Sequence, residues 1–212
     1  MPGPLRPPIG FAHRGAPPPW LRENTLAAFR RALRRGAGGL ESDVWLTADR
    51  VPVLHHDGRL GRLRRRALGT LRADELPPWL PALADLYAGC GSGYELSLDV
   101  KDPAAAGPAI EVARSAGGGA VGRLWLCADL PRVREWRRLD GDVRLVDSTS
   151  LRFVGGGARG LGRHAEVLRD AGVDAVNLRS REWSAPLVET VHGCGRLAFA
   201  WDAQAPAVLA RL

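Results

Sequence analysis

Short apolar runs alternate with helix-forming segments along the whole of this 212-residue chain, and the joints between them are short and glycine-rich. Residues 9–12 read as a buried strand. Asn24-Thr25 then offers a helix N-cap ahead of Leu26, Phe29 and Leu33 at helical spacing. Gly36, Gly38 and Gly39 stop that helix. Further strands are predicted at 40–46, 94–100, 123–127, 143–147, 173–178 and 197–201. Helices are predicted at 80–87, 104–115, 131–139, 163–171, 185–192 and 205–212. Successive parallel strands need crossovers of this kind. The pattern therefore predicts an α/β fold, a mostly parallel sheet wrapped by helices, in one domain spanning residues 1–212. An open doubly wound sheet would prefer a glycine-rich phosphate turn after the first strand, and no G-x-G-x-x-G or Walker pattern follows any strand. Polar residues recur instead at the C-terminal ends of strands, where (βα) barrels place their chemistry. The count is seven strand–helix units, one short of the eight that such a barrel closes with. The expectation is a TIM-type barrel lacking its eighth strand, with unpaired edges on the first and seventh.

The charge balance is basic, with Lys+Arg 30 against Asp+Glu 23 and a net charge of +7. Lys101 is the single lysine, a bias that points to a GC-rich coding sequence and not to nucleic acid. No zinc-finger spacing, basic heptad helix or aromatic RNA-binding signature is present, so no nucleic-acid partner is expected. Six arginines fall between Arg59 and Arg72 (Arg59, Arg62, Arg64, Arg65, Arg66, Arg72). A solvated loop is favoured there over a cationic rim that draws in anions. Cys90, Cys127 and Cys194 are odd in number and widely spaced, which argues against a disulfide framework. The N-terminal segment lacks the apolar run of a signal peptide. Nothing approaches the ~20 apolar residues of a membrane span. A cytoplasmic location is the expectation.

Residues 40–46 carry the most chemistry. Leu40, Val44 and Leu46 alternate with Glu41, Asp43 and Trp45, so the two carboxylates share one face of a strand. Buried together they repel, and one pKa rises unless a cation sits between them. A hard divalent ion suits their oxygens. An edge strand with a solvated acidic face would be the simpler reading of this segment alone. His13-Arg14-Gly15 closes the first strand, however. His55-His56-Asp57 follows the extended residues 51–54, and Asp99 and Lys101 end the third strand. Metal ligands, an anion clamp and two acid/base groups at the ends of the first strands suit hydrolysis of a phosphate ester.

His13-Arg14-Gly15, Glu23-Asn24-Thr25, Glu41-Ser42-Asp43-Val44, Leu46-Thr47-Ala48-Asp49, Val51-Pro52-Val53 and His56-Asp57 together resemble the N-terminal signature of the glycerophosphodiester phosphodiesterase family. Six linked motifs in one stretch are far more specific than one tripeptide. The resemblance implies a TIM barrel with its site at the C-terminal strand ends. It implies a divalent metal, Mg²⁺ or Ca²⁺, held by Glu41, Asp43 and Asp99, with His13 and His56 as general acid and base. It further implies that Arg14 and Lys101 contact the phosphate, that Asp57 supports the neighbouring histidine, and that a small anionic phosphodiester yields glycerol 3-phosphate and an alcohol. The third metal position is usually glutamate in this family and is Asp99 here. The segment around Trp201 reads Trp-Asp-Ala-Gln where the family often shows Trp-Thr-Val-Asn. Trp201 is expected either to line a glycerol pocket or to pack at the barrel mouth. His55 is expected to be a bystander, and His164 and His192 to be structural or exposed. The rival reading is a catalytically impaired or non-catalytic barrel homologue, because the C-terminal strand is missing.

Overall fold

A computed structural model of the chain describes residues 8–61, 65–203 and 205–209. Its elements follow the predicted alternation: β1 (Phe11–His13), α1 (Leu26–Arg34), β2 (Gly39–Leu46), β3 (Pro52–Leu54), β4 (Arg59–Leu60), β5 (Arg66–Ala67), α2 (Leu83–Cys90), β6 (Glu95–Val100), α3 (Ala106–Ala116), β7 (Leu124–Ala128), α4 (Leu130–Trp136), β8 (Arg144–Ser148), α5 (Gly157–Asp170), β9 (Ala175–Arg179), α6 (Ala185–Gly193), β10 (Leu197–Trp201) and α7 (Pro206–Leu209). The seven predicted strands are β1, β2, β6, β7, β8, β9 and β10. This is the βα alternation of a (βα) barrel, and β10 is followed only by α7 among the described residues.

The chain divides into two compact units, and β7 and β8 each run from one into the other. In the first, residues 9–126 and 139–144, β2 is the central strand. It runs parallel to β1, with His13 opposite Glu41, and parallel to β6, with Asp43 opposite Asp99. Leu40 and Val44 are fully buried, as their alternation predicts. The register aligns the C-terminal ends of β1, β2 and β6, and those ends carry the polar residues. In the second unit β9 pairs in parallel with both β8 and β10; Ala175 lies opposite Val146 on one side and Leu197 on the other.

Thr25 caps α1 as predicted, its Oγ1 accepting the Ala28 N–H at 3.3 Å. The buried face of α1 differs from the expectation. Ala28, Phe29 and Ala32 are buried, whereas Leu26 and Leu33 are only half-buried. Small residues let the helix approach the chain: a Cβ on Gly15 would lie 2.8 Å from the Ala28 Cβ. α2 begins three residues later than predicted, because the strand region claims the segment before it. Leu54 N–H donates to the Pro81 carbonyl at 3.0 Å, and Asp85 accepts the Ala82 N–H at 2.9 Å to start the helix. α5 begins six residues earlier than predicted. It contains Gly157, Gly160 and Gly162, poor helix formers, yet Gly160 sits where a Cβ would come 2.4 Å from the Val154 carbonyl oxygen, so close packing overrides propensity.

The arginine-rich stretch, expected as a solvated loop, is instead a folded insertion. β3 pairs antiparallel with β2, β4 pairs with β5, and Val53, Leu68 and Leu80 form a small core packed by Trp45, Leu60, Trp79 and others. Three of its cations are paired: Arg65 with Asp57, Arg66 with Glu75, and Arg72 with Asp74. The expectations for Arg62 and Arg64, for Gln204 and for the end of the last helix fall outside the described residues.

Candidate active site

The turn leaving β1 is strained. Arg14, Ala16 and Asn24 adopt φ of 50°, 42° and 51°, a region that side chains disfavour, and Gly15 adopts 81°. The strain directs Arg14 inward: its backbone N–H donates to Glu41 Oε2 at 3.0 Å, and its carbonyl accepts the Asn24 N–H at 3.1 Å.

Asp43, 2% exposed, is the centre of the cluster. Arg14 Nε lies 3.4 Å from its Oδ2, Lys101 Nζ lies 3.3 Å from its Oδ1, and Asn24 Nδ2 approaches Oδ2 at 3.5 Å. Lys101 also pairs with Asp99. The far end of Arg14 is held by Glu23 at 3.0 Å. Its buried Nε completes no hydrogen bond, which leaves a donor for an anion. His13 Nε2 stands 3.9 Å from Glu41 Oε2. Burial, and then the Arg14 charge, hold His13 below its ordinary pKa. Burial, and then Asp43, push Glu41 up to about 8. Burial would lower Lys101, but its bonds to Asp99 and Asp43 outweigh that and hold the ammonium above its usual value. The pair at the other strand end is formed as well: His56 Nδ1 meets Asp57 Oδ1 at 3.1 Å, and the His56 carbonyl accepts the Trp45 indole N–H at 3.4 Å. His56 is close enough to His13 for its charge to lower the His13 pKa.

Thus His13, Arg14, Glu41, Asp43, Asp99 and Lys101 lie on three adjacent strand ends, and His56 with Asp57 on the segment following β3. Trp201 lies in the second unit, 48% exposed, with the Arg179 guanidinium 5.3 Å from its ring centroid. One further residue bears on the cluster. Asn24, 2% exposed, accepts the Ser42 hydroxyl at 2.7 Å while its amide faces Asp43. Read as a cap residue, it is a positioning residue instead, and the signal was a polar side chain sharing a turn with Arg14. In the second unit His164 pairs with the buried Asp147 at 2.6 Å, linking the end of β8 to α5.

The donors available for a divalent ion can be weighed from these charges. Glu41 and Asp43 share one strand face, and burial, then the Asp43 charge, raise the Glu41 pKa, so added positive charge there would favour its ionised form. They fit a hard divalent ion. Asp99 is drawn to Lys101, and among the described residues no three His, Cys, Asp or Glu side chains are already grouped to hold a metal.

The family model of the glycerophosphoryl diester phosphodiesterase family matches residues 13–83. "Probable glycerophosphodiester phosphodiesterase 2" of Mycobacterium tuberculosis is 28% identical over 218 residues, covering 95% of this chain and 81% of that protein. Glycerophosphodiester phosphodiesterase domain-containing protein 4 of Macaca fascicularis is 53% identical over 55 residues, 26% of this chain but only 9% of that protein. Among solved structures, a glycerophosphodiester phosphodiesterase from Thermotoga maritima aligns with TM-score 0.77 at 19% identity, covering 95% of this chain and 88% of the other. An Oleispira antarctica phosphodiesterase in complex with the product sn-glycerol-3-phosphate aligns with TM-score 0.77 at 19% identity, covering 95% and 87%. At such identities the structures speak for a shared fold alone. The motif-bearing first third matches the family model, a relative matches 95% of this chain, and the (βα) architecture is shared: the chain is similar to the glycerophosphodiester phosphodiesterase family of phosphoric diester hydrolases.

Proposed function

We propose that the chain hydrolyses glycerophosphodiesters to glycerol 3-phosphate and an alcohol, with a divalent cation, Mg²⁺ or Ca²⁺, held by Glu41 and Asp43 and, once Lys101 turns to substrate, by Asp99. The observation that carries this reading is the convergence of Arg14 and Lys101 on Asp43 beside His13 and Glu41. Bound there, the cation supplies positive charge that offsets the phosphodiester and stabilises charge on its oxygens. The Arg14 Nε and the Lys101 ammonium add fixed donors to the same oxygens. His13, neutral near pH 7 because its pKa is lowered, takes the proton of the attacking hydroxyl. His56, oriented at Nδ1 by Asp57, gives a proton to the departing alcohol oxygen. One P–O bond forms and one breaks. If the glycerol 2-hydroxyl attacks, water then opens the cyclic phosphate; if water attacks, the products form directly. The net consumption in either case is one water.

The test is turnover of glycerophosphocholine by the purified chain with added Mg²⁺ or Ca²⁺, which EDTA should abolish. His13→Ala and His56→Ala should each lower kcat by roughly 10²–10⁴. The acid limb of kcat/KM, which reports the base, should lie below pH 6.5 because His13 is held below that value. A folded, inactive chain would favour the non-catalytic homologue, and unchanged rates in the two variants would remove the histidines from the mechanism.

A further inference from the structure

The folded insertion after β2, together with Arg22, lines a pocket of about 540 Å³, and of its lining the chemistry above uses only Asp57. Arg22, His55, Asp57, Arg59, Arg65 and Trp79 line it. Trp79 packs on the Val53–Leu68–Leu80 core, so this wall is anchored. The Arg22 guanidinium lies 3.9 Å from the indole centroid, and the His55 ring stands 5.8 Å from it. An uncovered tryptophan face would attract a quaternary ammonium; here a cation already occupies that role. Arg59 donates to the Arg65 carbonyl at 2.9 Å, which ties the two sides of the hairpin together. Three guanidinium groups and one carboxylate, Asp57, line the pocket, so its lining carries excess positive charge.

Asp57 also joins the pocket to the reaction. Its Oδ1 meets His56 Nδ1 at 3.1 Å, and its Oδ2 accepts from Arg65 at 3.2 Å. Asp57 therefore stands between the pocket it lines and the histidine assigned to protonate the leaving oxygen. We propose that this pocket is the subsite for the leaving alcohol and that it selects alcohols bearing a phosphate monoester over cationic or neutral ones. A dianionic phosphate meets several arginines with planar, multidentate donors, whereas a choline-like group meets like charge. The proposal rests on the phosphodiesterase reading above for the position of the leaving group.

Calorimetric titration of the His13→Ala chain separates the two claims. The probes are glycerophosphoglycerol, the same diester with its leaving glycerol phosphorylated, and glycerophosphocholine. The phosphorylated diester should bind about tenfold or more tightly than either of the others. Arg22→Ala and Arg59→Ala should each reduce that ratio to about threefold or less, and Arg22→Lys should retain more of it. Both arginines are exposed, so an unchanged near-ultraviolet circular dichroism spectrum checks the fold. Equal affinity for the three diesters, or a ratio untouched by the arginine variants, would overturn the subsite. Turnover by the parent chain without discrimination would sink the subsite and spare the activity, while discrimination without any turnover would do the reverse.

Discussion

Glu41 is the carboxylate of the cluster whose ionisation burial opposes, and its titration makes that cost measurable. Unfolded, it ionises near 4.5; folded, near 8. Between those values the folded chain holds a proton that the unfolded chain has released. Stability therefore falls as pH rises from about 4.5 to about 8 and levels off above. In EDTA at pH 8.5, Glu41→Gln should raise Tm by about 2–4 °C, what ~1 kcal/mol is worth in a chain of this size. The gain should shrink toward pH 4.5, and Ca²⁺ or Mg²⁺ should raise the Tm of the parent at pH 8.5 more than that of the variant. A gain independent of pH would mean that ionisation of Glu41 is not what costs stability. The alternation of Glu41 and Asp43 was legible in the sequence because strand periodicity puts them on one face. The grip of Lys101 on Asp99 was not, since it depends on the register that sets β6 beside β2. Nor was the turning of Asn24 toward Asp43, which needs a left-handed backbone at a residue that local pattern reads as a cap.

At the scale of elements, the β1–α1 turn couples folding to the site. Gly15 combines φ of 81° with an approach that puts an added Cβ 2.8 Å from the Ala28 Cβ and 2.9 Å from its carbonyl carbon. Gly15→Ala must strain the backbone and push α1 away at once, so it should destabilise by about 1–3 kcal/mol. Because Arg14 and Asn24 sit on the same turn, it should also raise KM for a diester. Urea unfolding and steady-state kinetics check the two effects, and a stable variant with unchanged KM would refute the coupling. The strands and helices themselves were mostly legible, because apolar runs and caps are local signals. The buried face of α1 was not: two alanines lie against the chain where leucines were expected to, since close approach, not hydrophobicity, sets that contact. The β4–β5 hairpin was hidden by its arginines, two of which, Arg65 and Arg66, are paired with Asp57 and Glu75.

For the whole molecule the net charge of +7 acts on any anionic substrate. Raising salt from about 0.1 to 1 M shortens the screening length from ~10 to ~3 Å. kcat/KM for a diester should then fall several-fold while kcat changes little, because steering affects encounter more than chemistry. Stopped assays at fixed pH over that range check it; a salt-independent kcat/KM would confine the useful charge to Arg14 and Lys101. No described helix is long and apolar enough to cross a membrane.

The amino-acid sequence by itself determined the βα alternation, the seven main strands and the set of chemistry-bearing residues. These rest on periodicity and on motifs contained within single segments. Tertiary structure decided which of those residues meet. The registers of β1 and β6 on β2 bring His13 to Glu41 and Asp43 to Asp99, the strained turn swings Arg14 and Asn24 onto Asp43, and the insertion's own small core turns an arginine run into a pocket wall. The physical reason is range. Propensity and periodicity act over a few residues, whereas burial, ion pairing and shifted pKa values arise only when distant segments exclude water together.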